Sequence, residues 1–348
     1  MSDVRKDIRQ RSKEELRSFF VEHGAPAFHG NQVYEWLWQK AATDFAQMTN
    51  LSKVHRILLS EHFSINHTDL AKVQQSSDGT LKNAVSLHDG KIVESVLIPT
   101  KTRSTACVSS QVGCSLDCTF CATAQLKRMR NLNSDEIFDQ VATLNRQSLE
   151  YFDRPLSNIV FMGMGEPMMN YSNVMKAIEK ITSPDGMGMS PRRITVSTSG
   201  IPKMIIKMAD EHPRFKLAVS LHSAIEEIRN NIMPFSINFP LTALQESIHY
   251  WYSKTKERVT YEYVVWNEIN DSMDDVKALV NFCKRTPAKV NLIEYNPIGN
   301  EGFAQAKEDA IELYVSELTK YHIPVTIRRS RGKDIDAACG QLANKSTI

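Results

Sequence analysis

Three thiols fall within eight residues, in the stretch CSLDCTFC that runs from Cys114 to Cys121. At this spacing Cys114, Cys118 and Cys121 can all face one iron–sulfur cube from a single loop, and cysteine thiolates are the usual ligands of such clusters. Three thiolates on four irons leave one iron open to a small molecule. A structural zinc site needs four closed ligands, usually as two pairs, and the chain has no second CxxC pair. Zinc with a distant fourth ligand and a redox pair of Cys118 and Cys121 are the other uses of this spacing.

The remaining three cysteines differ in setting. Cys283 lies in VKALVNFC, where Val276, Leu279, Val280 and Cys283 share one helical face, so it reads as a core thiol. Cys107 lies in ACVSSQVGC on a strand pattern, and position alone leaves it divided between core and reactive thiol. Cys339, in DIDAACGQLA, lies among polar residues beyond the last strand, where packing does not account for it.

The elements that must hold these residues fall into two patterns. Up to about residue 95 the stretches SKEELRSFFVEH, GNQVYEWLWQKAATDF and SKVHRILLSEHF read as short amphipathic helices. A meander follows, with turn signals at SSDG and HDG. From residue 105 strands alternate with helices. The strands are TACVSS, NIVFMGMG, RITVSTSG, KLAVSLH, RVTYEYVVW, KVNLIEYNP and PVTIRRS, and the first long helix starts at an N-cap on Ser134. Several strands are apolar runs, as for strands covered on both faces, which predicts a parallel sheet with helices outside.

Bulk properties bound the rest. The chain has 348 residues, a net charge of +2 and six cysteines, with no run of about eighteen apolar residues and a charged N-terminus. These values predict a cytoplasmic protein with no membrane span, whose cysteines serve metal or redox chemistry rather than a disulfide framework. A strongly basic nucleic-acid coat is excluded, but local patches are not. The candidates for phosphate contact are Lys127, Arg128 and Arg130 after the cysteine loop, Arg192 and Arg193, and Arg328, Arg329, Arg331 and Lys333 before Cys339. An N-terminal set adds Arg5, Lys6, Arg9, Arg11, Lys13 and Arg17.

The CxxxCxxC triad with Phe120 before its last cysteine resembles the radical S-adenosylmethionine superfamily, and GMGEP (Gly163 to Pro167) resembles its loop for the methionine amino group. CVSSQVGCSLDCTFCATA, FMGMGEP, RRITVSTSG, AVSLHS, NLIEYNP and RGKDIDAACGQLA, colinear over roughly residues 90–342, resemble the RlmN/Cfr family of RNA adenosine methyltransferases. Met168-Met169-Asn170 after GMGEP is closer to the RlmN branch, which methylates adenine carbon 2, than to the Cfr branch, which methylates carbon 8.

The resemblance implies an α/β fold: a radical-SAM partial (β/α)6 barrel over 96–342, a small N-terminal helical/β accessory RNA-binding domain over 1–95, and a tail over 343–348. It implies a [4Fe-4S] cluster on Cys114, Cys118 and Cys121. It implies S-adenosylmethionine held by Gly165, Glu166, Ser197, Ser220, Leu221, His222 and Asn296, residues that also fall at ends of different predicted strands, which converge on one mouth in a parallel barrel. It further implies that Cys339 is methylated first, and that a 5′-deoxyadenosyl radical then removes hydrogen from that methyl group. The methylene radical adds to adenine, Glu94 removes the ring proton, and Cys107 attacks Cys339 to free the RNA and leave a disulfide. The implied partners are 23S ribosomal RNA, tRNA and an electron donor such as flavodoxin, with the chain a monomer. The rivals are a carbon 8 methyltransferase and a non-catalytic zinc-bound RNA-binding module.

Overall fold

The N-terminal residues form α1 (Lys13–Glu22), α2 (Phe28–Trp38) and α3 (Lys53–His62) in a computed structural model that describes residues 5–211, 213–299 and 302–344. Ser12 and Glu15 close a capping box at the start of α1, satisfying two backbone donors that the first turn leaves open. Gly30 lets α2 lie against α1, because a Cβ there would sit 2.4 Å from the Arg17 nitrogen. A short parallel bridge of Lys6–Asp7 with Phe63–Ser64 closes this unit.

Among the described residues ten strands form one large sheet: β1 (Asp69–Gln75), β2 (Leu81–Ser86), β3 (Ile92–Pro99), β4 (Ser104–Cys107), β5 (Asn158–Phe161), β6 (Ile194–Thr198), β7 (Lys216–Ser220), β8 (Val259–Val264), β9 (Ala288–Ile293) and β10 (Val325–Arg328). Their order in space is their order in the chain. β1 to β4 pair antiparallel, and every pair from β4 to β10 is parallel. Short hairpins suffice for the first part, whereas parallel neighbours need crossovers. After the single turn α4 (Ala122–Gln125), these are α5 (Ser134–Phe152), α6 (Tyr171–Thr182), α7 (Pro202–Asp210), α8 (Glu226–Ile232) with α9 (Leu241–Thr255), α10 (Met273–Lys284) and α11 (Glu308–Lys320). The result is six strand–helix units closed by β10. Helices cover the parallel part, and β8, VTYEYV, is buried at every position.

Three local expectations change. The N-cap of α5 is Asn133, not Ser134: its N–H donates to Glu136 Oε2 at 2.8 Å, so the helix starts one residue earlier. The division expected at 95/96 falls inside β3, because the meander is hydrogen-bonded into the barrel sheet. The expected tail at 343–348 begins as packed structure. Leu342 is buried, and the Ala343 and Asn344 amides donate to Glu94 Oε2 at 2.9 and 3.2 Å. Residues 345–348 lie outside the described residues.

The helical unit is fastened to the barrel through α5. Trp38 meets Phe138 edge-on with centroids 5.1 Å apart, and Arg9 reaches Asp135 and Asp139 at 3.1 and 2.7 Å. Arg9 is therefore a buried interface cation and not the RNA-facing residue that its sequence neighbourhood suggests.

Candidate active site

Parallel strands end together, so the loops after β4 to β9 gather at one mouth, and there they line one pocket. Cys114, Cys118 and Cys121 enter from the loop after β4, Gly165 and Glu166 from the loop after β5, and Ser197 from β6. Ser220 ends β7 and His222 follows it, Asn296 comes from beyond β9, and Cys339 from the chain after β10.

The glycine-and-acid loop is shaped by one close approach. Gly165 has φ +93°, and a Cβ would lie 2.5 Å from the Gln111 Cβ, so only glycine fits. Glu166 is buried; its carboxylate accepts from the Met168 and Ser199 amides at 3.0 and 2.8 Å. Burial pushes its pKa up, and the Ser199 amide and the Thr198 hydroxyl oppose that shift. Its own N–H donates to Gln111 Oε1 at 3.0 Å, and Gln111 also bonds Ser115, between the first two cysteines of the triad. Gln111 thus ties the cysteine loop to the acid loop. It escaped the sequence reading because a buried amide has no spacing signature.

His222 takes the left-handed region at φ +57°. Its Nδ1 lies 3.1 Å from the Val264 N–H, so that nitrogen is the acceptor of a neutral ring. Burial, and then the neighbouring Arg229, hold its pKa down at about 3. Its ring stands edge-on to Phe120 at 4.9 Å. Leu221, by contrast, is fully buried and absent from the lining; its carbonyl accepts from Arg229.

The reactive-thiol candidates come together. Cys107, at the end of β4, and Cys339 line a second small cavity beside the first, walled by Ile98, Met162, Ile293 and Arg328. Cys339 belongs to both cavities. Cys107 is buried, and burial followed by the nearness of Cys339 pushes its thiol up to about 12, with Arg328 acting in the opposite direction. Cys339 is solvent-exposed within the mouth. The protein walls around it raise its thiol pKa, and Arg328 again opposes the shift. Exposure governs a reagent's access, whereas the walls govern the charge; the two are compatible at the rim of a pocket.

Glu94 lines neither cavity. It is fully buried; its Oε1 lies 3.2 Å from the ammonium of buried Lys82, and Oε2 holds the Ala343 and Asn344 amides. Lys82 also donates to the Asp336 carbonyl at 3.4 Å. The pair therefore grips the Cys339 segment on both sides of the thiol. Lys82 was missed as well, since a lysine in an alternating strand reads as solvent-facing.

The basic clusters divide. Arg130 is spent on Asp89 and Glu136, both at 2.7 Å, and Lys333, Arg331 and Arg329 pair with Glu294, Asp78 and Glu308. Arg192 and Arg193 are exposed but precede β6, at the end of the barrel away from the mouth. Lys127 and Arg128 flank the cysteine loop, and Arg128 is exposed. Cys283 is buried on α10 within the core.

Do these residues fit a cluster and S-adenosylmethionine? Burial raises the thiol of Cys114 to about 12 and pushes that of Cys118 well up too, so a bound cation is what holds such groups as thiolates. Among the described residues no three His, Cys, Asp or Glu side chains are placed to hold a single ion. A cube places less demand on closeness, since each thiolate binds a different iron. Next to the thiols, Asn296 Oδ1 is buried without a partner, an acceptor available to a ligand. The donor set and the pocket fit both groups.

Comparison with known proteins agrees with this geometry. Residues 108–283 match the model of the Radical SAM superfamily, the class that the parallel sheet and three-cysteine loop define. Residues 6–65 match the Ribosomal RNA large subunit methyltransferase N-terminal domain. The chain is 65% identical over 346 residues to the probable dual-specificity RNA methyltransferase RlmN of Christiangramia forsetii, covering 99% of this chain and 98% of that one. It is 42% identical over 346 residues to the dual-specificity RNA methyltransferase RlmN of Oleidesulfovibrio alaskensis, covering 98% and 97%. A crystal structure of a radical SAM methyltransferase from Sphaerobacter thermophilus superposes with a TM-score of 0.91 at 36% identity, over 97% of this chain and 99% of that one. The chain belongs to the RlmN family of radical SAM RNA methyltransferases.

Proposed function

We propose that this enzyme methylates carbon 2 of one adenosine in 23S ribosomal RNA and of the adenosine beside the anticodon in tRNA, through a methyl group carried on Cys339. The observation that supports it best is the cavity lined by both Cys107 and Cys339, which shares Cys339 as a wall with the pocket of the three-cysteine loop. Carbon 2 of adenine is electron-poor and carries no acidic proton, so a sulfonium methyl group does not transfer to it directly.

In this reading Cys114, Cys118 and Cys121 hold a [4Fe-4S] cluster, and Gly165, Glu166, Ser197, Ser220, Leu221, His222 and Asn296 surround S-adenosylmethionine. Leu221 acts through its backbone, its side chain being in the core. The two groups supply one-electron chemistry that activates an unreactive methyl carbon. Cys339 presents that carbon from the rim and becomes the covalent link to the base. The unpaired electron of the adduct leaves by the one-electron route that supplied it, and Glu94 takes the carbon 2 proton, which restores the aromatic ring. For that the Ala343 and Asn344 amides must leave its carboxylate, so the segment that bears Cys339 moves during turnover. Cys107 then attacks the Cys339 sulfur: the S–S bond forms, the S–C bond breaks, and the freed carbon takes a proton to become methyl. Arg328, beside both thiols, favours the thiolate that attack requires.

The helical unit of α1 to α3 serves as the accessory RNA-binding domain in this proposal, and the large sheet with its covering helices as the methyltransferase. The adenosine must leave its stack to reach the mouth. A cytoplasmic monomer reduced by a flavodoxin-type donor completes the reading; no helix of the described residues is long and apolar enough to cross a membrane. The test is mass spectrometry of nucleosides from 23S rRNA and tRNA incubated with the reduced enzyme and S-adenosylmethionine. The expected product is 2-methyladenosine in both; 8-methyladenosine, or no methylated adenosine, contradicts the proposal.

A further inference from the structure

Behind the three-cysteine loop lies a charge that the proposed chemistry has not used. Arg229, on α8, is fully buried. Its Nη1 donates to the Ser220 carbonyl at 3.1 Å, to the Leu221 carbonyl and to Met233 Sδ at 3.3 Å; its Nη2 donates to the Ser199 carbonyl at 2.7 Å. Its Nε has no partner. No carboxylate lies within ion-pair distance of it among the described residues; Glu226, bonded to the Leu241 amide at 2.9 Å, acts on it only through space, and the Cys118 thiol acts on it more strongly. A buried guanidinium with only neutral partners is costly, since desolvation is offset only by an opposite charge or complete hydrogen bonding.

The opposite charge has an evident source. The segment carrying Arg229 is stitched to the cysteine loop: the Thr119 amide and hydroxyl both donate to the Ile232 carbonyl at 3.0 Å, and the Phe235 amide donates to Asp117 Oδ1 at 2.9 Å. Met233, which Arg229 touches, lines the pocket beside Cys118.

We infer that Arg229 is the fixed counter-cation of the thiolate cluster, setting its reduction potential, and a positioning residue for the strand ends around S-adenosylmethionine. Reduction adds one negative charge to the cluster, so a fixed cation nearby favours the reduced state and raises the potential. The three carbonyls on the guanidinium end β7 and follow β6, which bear Ser220, Leu221 and Ser197. One side chain thereby sets both the cluster's charge balance and the shape of the adjoining site. This inference rests on the cluster assignment proposed above.

The experiment is a mediator-controlled redox titration of the anaerobically reconstituted full chain, read by electron paramagnetic resonance of the reduced cluster, with iron content and circular dichroism alongside. Arg229→Lys keeps the charge, Arg229→Gln keeps donors without charge, and Arg229→Met removes both. The midpoint potential should fall in Arg229→Gln and Arg229→Met and stay near the parent value in Arg229→Lys. Arg229→Lys should instead bind S-adenosylmethionine more weakly by equilibrium dialysis, because one ammonium cannot span three carbonyls. Folded Gln and Met variants that lose iron while Lys retains it would equally support the charge role. A full cluster at the parent potential in Arg229→Gln would overturn the inference, and so would loss of folding in all three variants, which marks a purely structural brace. A parent chain that binds no cluster at all would instead refute the function proposed above.

Discussion

At the scale of single residues, burial separates the six cysteines into kinds. Cys114, Cys118 and Cys121 share a pocket wall, Cys107 and Cys339 share a cavity, and Cys283 packs in the core. Replacing any member of the triad by Ala should abolish both iron content and methylation, because two thiolates do not hold a cube with an open iron. Cys283→Ala should keep full iron and activity at a cost of about 1 kcal/mol in a denaturant melt, the ordinary price of a small core truncation. Activity lost from Cys283→Ala with its cluster intact would show that this sorting is wrong. That the three clustered cysteines share one wall was readable from spacing alone, as was the packing of Cys283 from its helical face. Lys82, Gln111 and Arg229 were not, because each owes its role to partners distant in sequence: Glu94, Glu166 and the ends of two strands.

Elements were legible where a local rule governs them. α1, α2 and α3 follow from amphipathic spacing, and the parallel strands from their apolar runs. What local rules miss is which charge faces which element. Arg9 reads as one of six N-terminal cations, yet it sits buried among Asp7, Asp135 and Asp139 where the helical unit meets α5. Three carboxylates around one guanidinium leave an excess of negative charge. Burial, with Asp7 and Asp139 adding to it and Arg9 opposing, raises Asp135 from its ordinary 3.8 to about 6. The folded chain therefore keeps a proton that the unfolded chain releases between those values. That contribution is fully present below about pH 4 and is lost as pH rises through about 6. Raising pH from 5 to 7 should thus destabilise the parent relative to Asp135→Asn by about 1 kcal/mol in paired urea melts. A difference independent of pH would contradict the carboxylate cluster. Arg9→Met, leaving the carboxylates unpaired, should cost about 3–5 kcal/mol at pH 7.

For the whole molecule, a sheet whose spatial order is its chain order brings residues from positions 82 to 344 to one end. Glu94 and Lys82 come from the antiparallel meander, the three-cysteine loop from the first parallel strand, and Cys339 from beyond the last. In the proposed reaction the two thiols that meet there have different duties: Cys339 carries the carbon and Cys107 releases the product. Enzyme bearing Cys107→Ala or Cys339→Ala, incubated with substrate RNA, S-adenosylmethionine and reductant and run on a denaturing gel, tests it most directly. Cys107→Ala should accumulate a covalent protein–RNA adduct, seen as a band of reduced mobility that nuclease removes, because no thiol remains to attack Cys339. Cys339→Ala should form none, having nowhere to carry the methyl group. An adduct from Cys339→Ala with none from Cys107→Ala, or no adduct from either, would contradict the account.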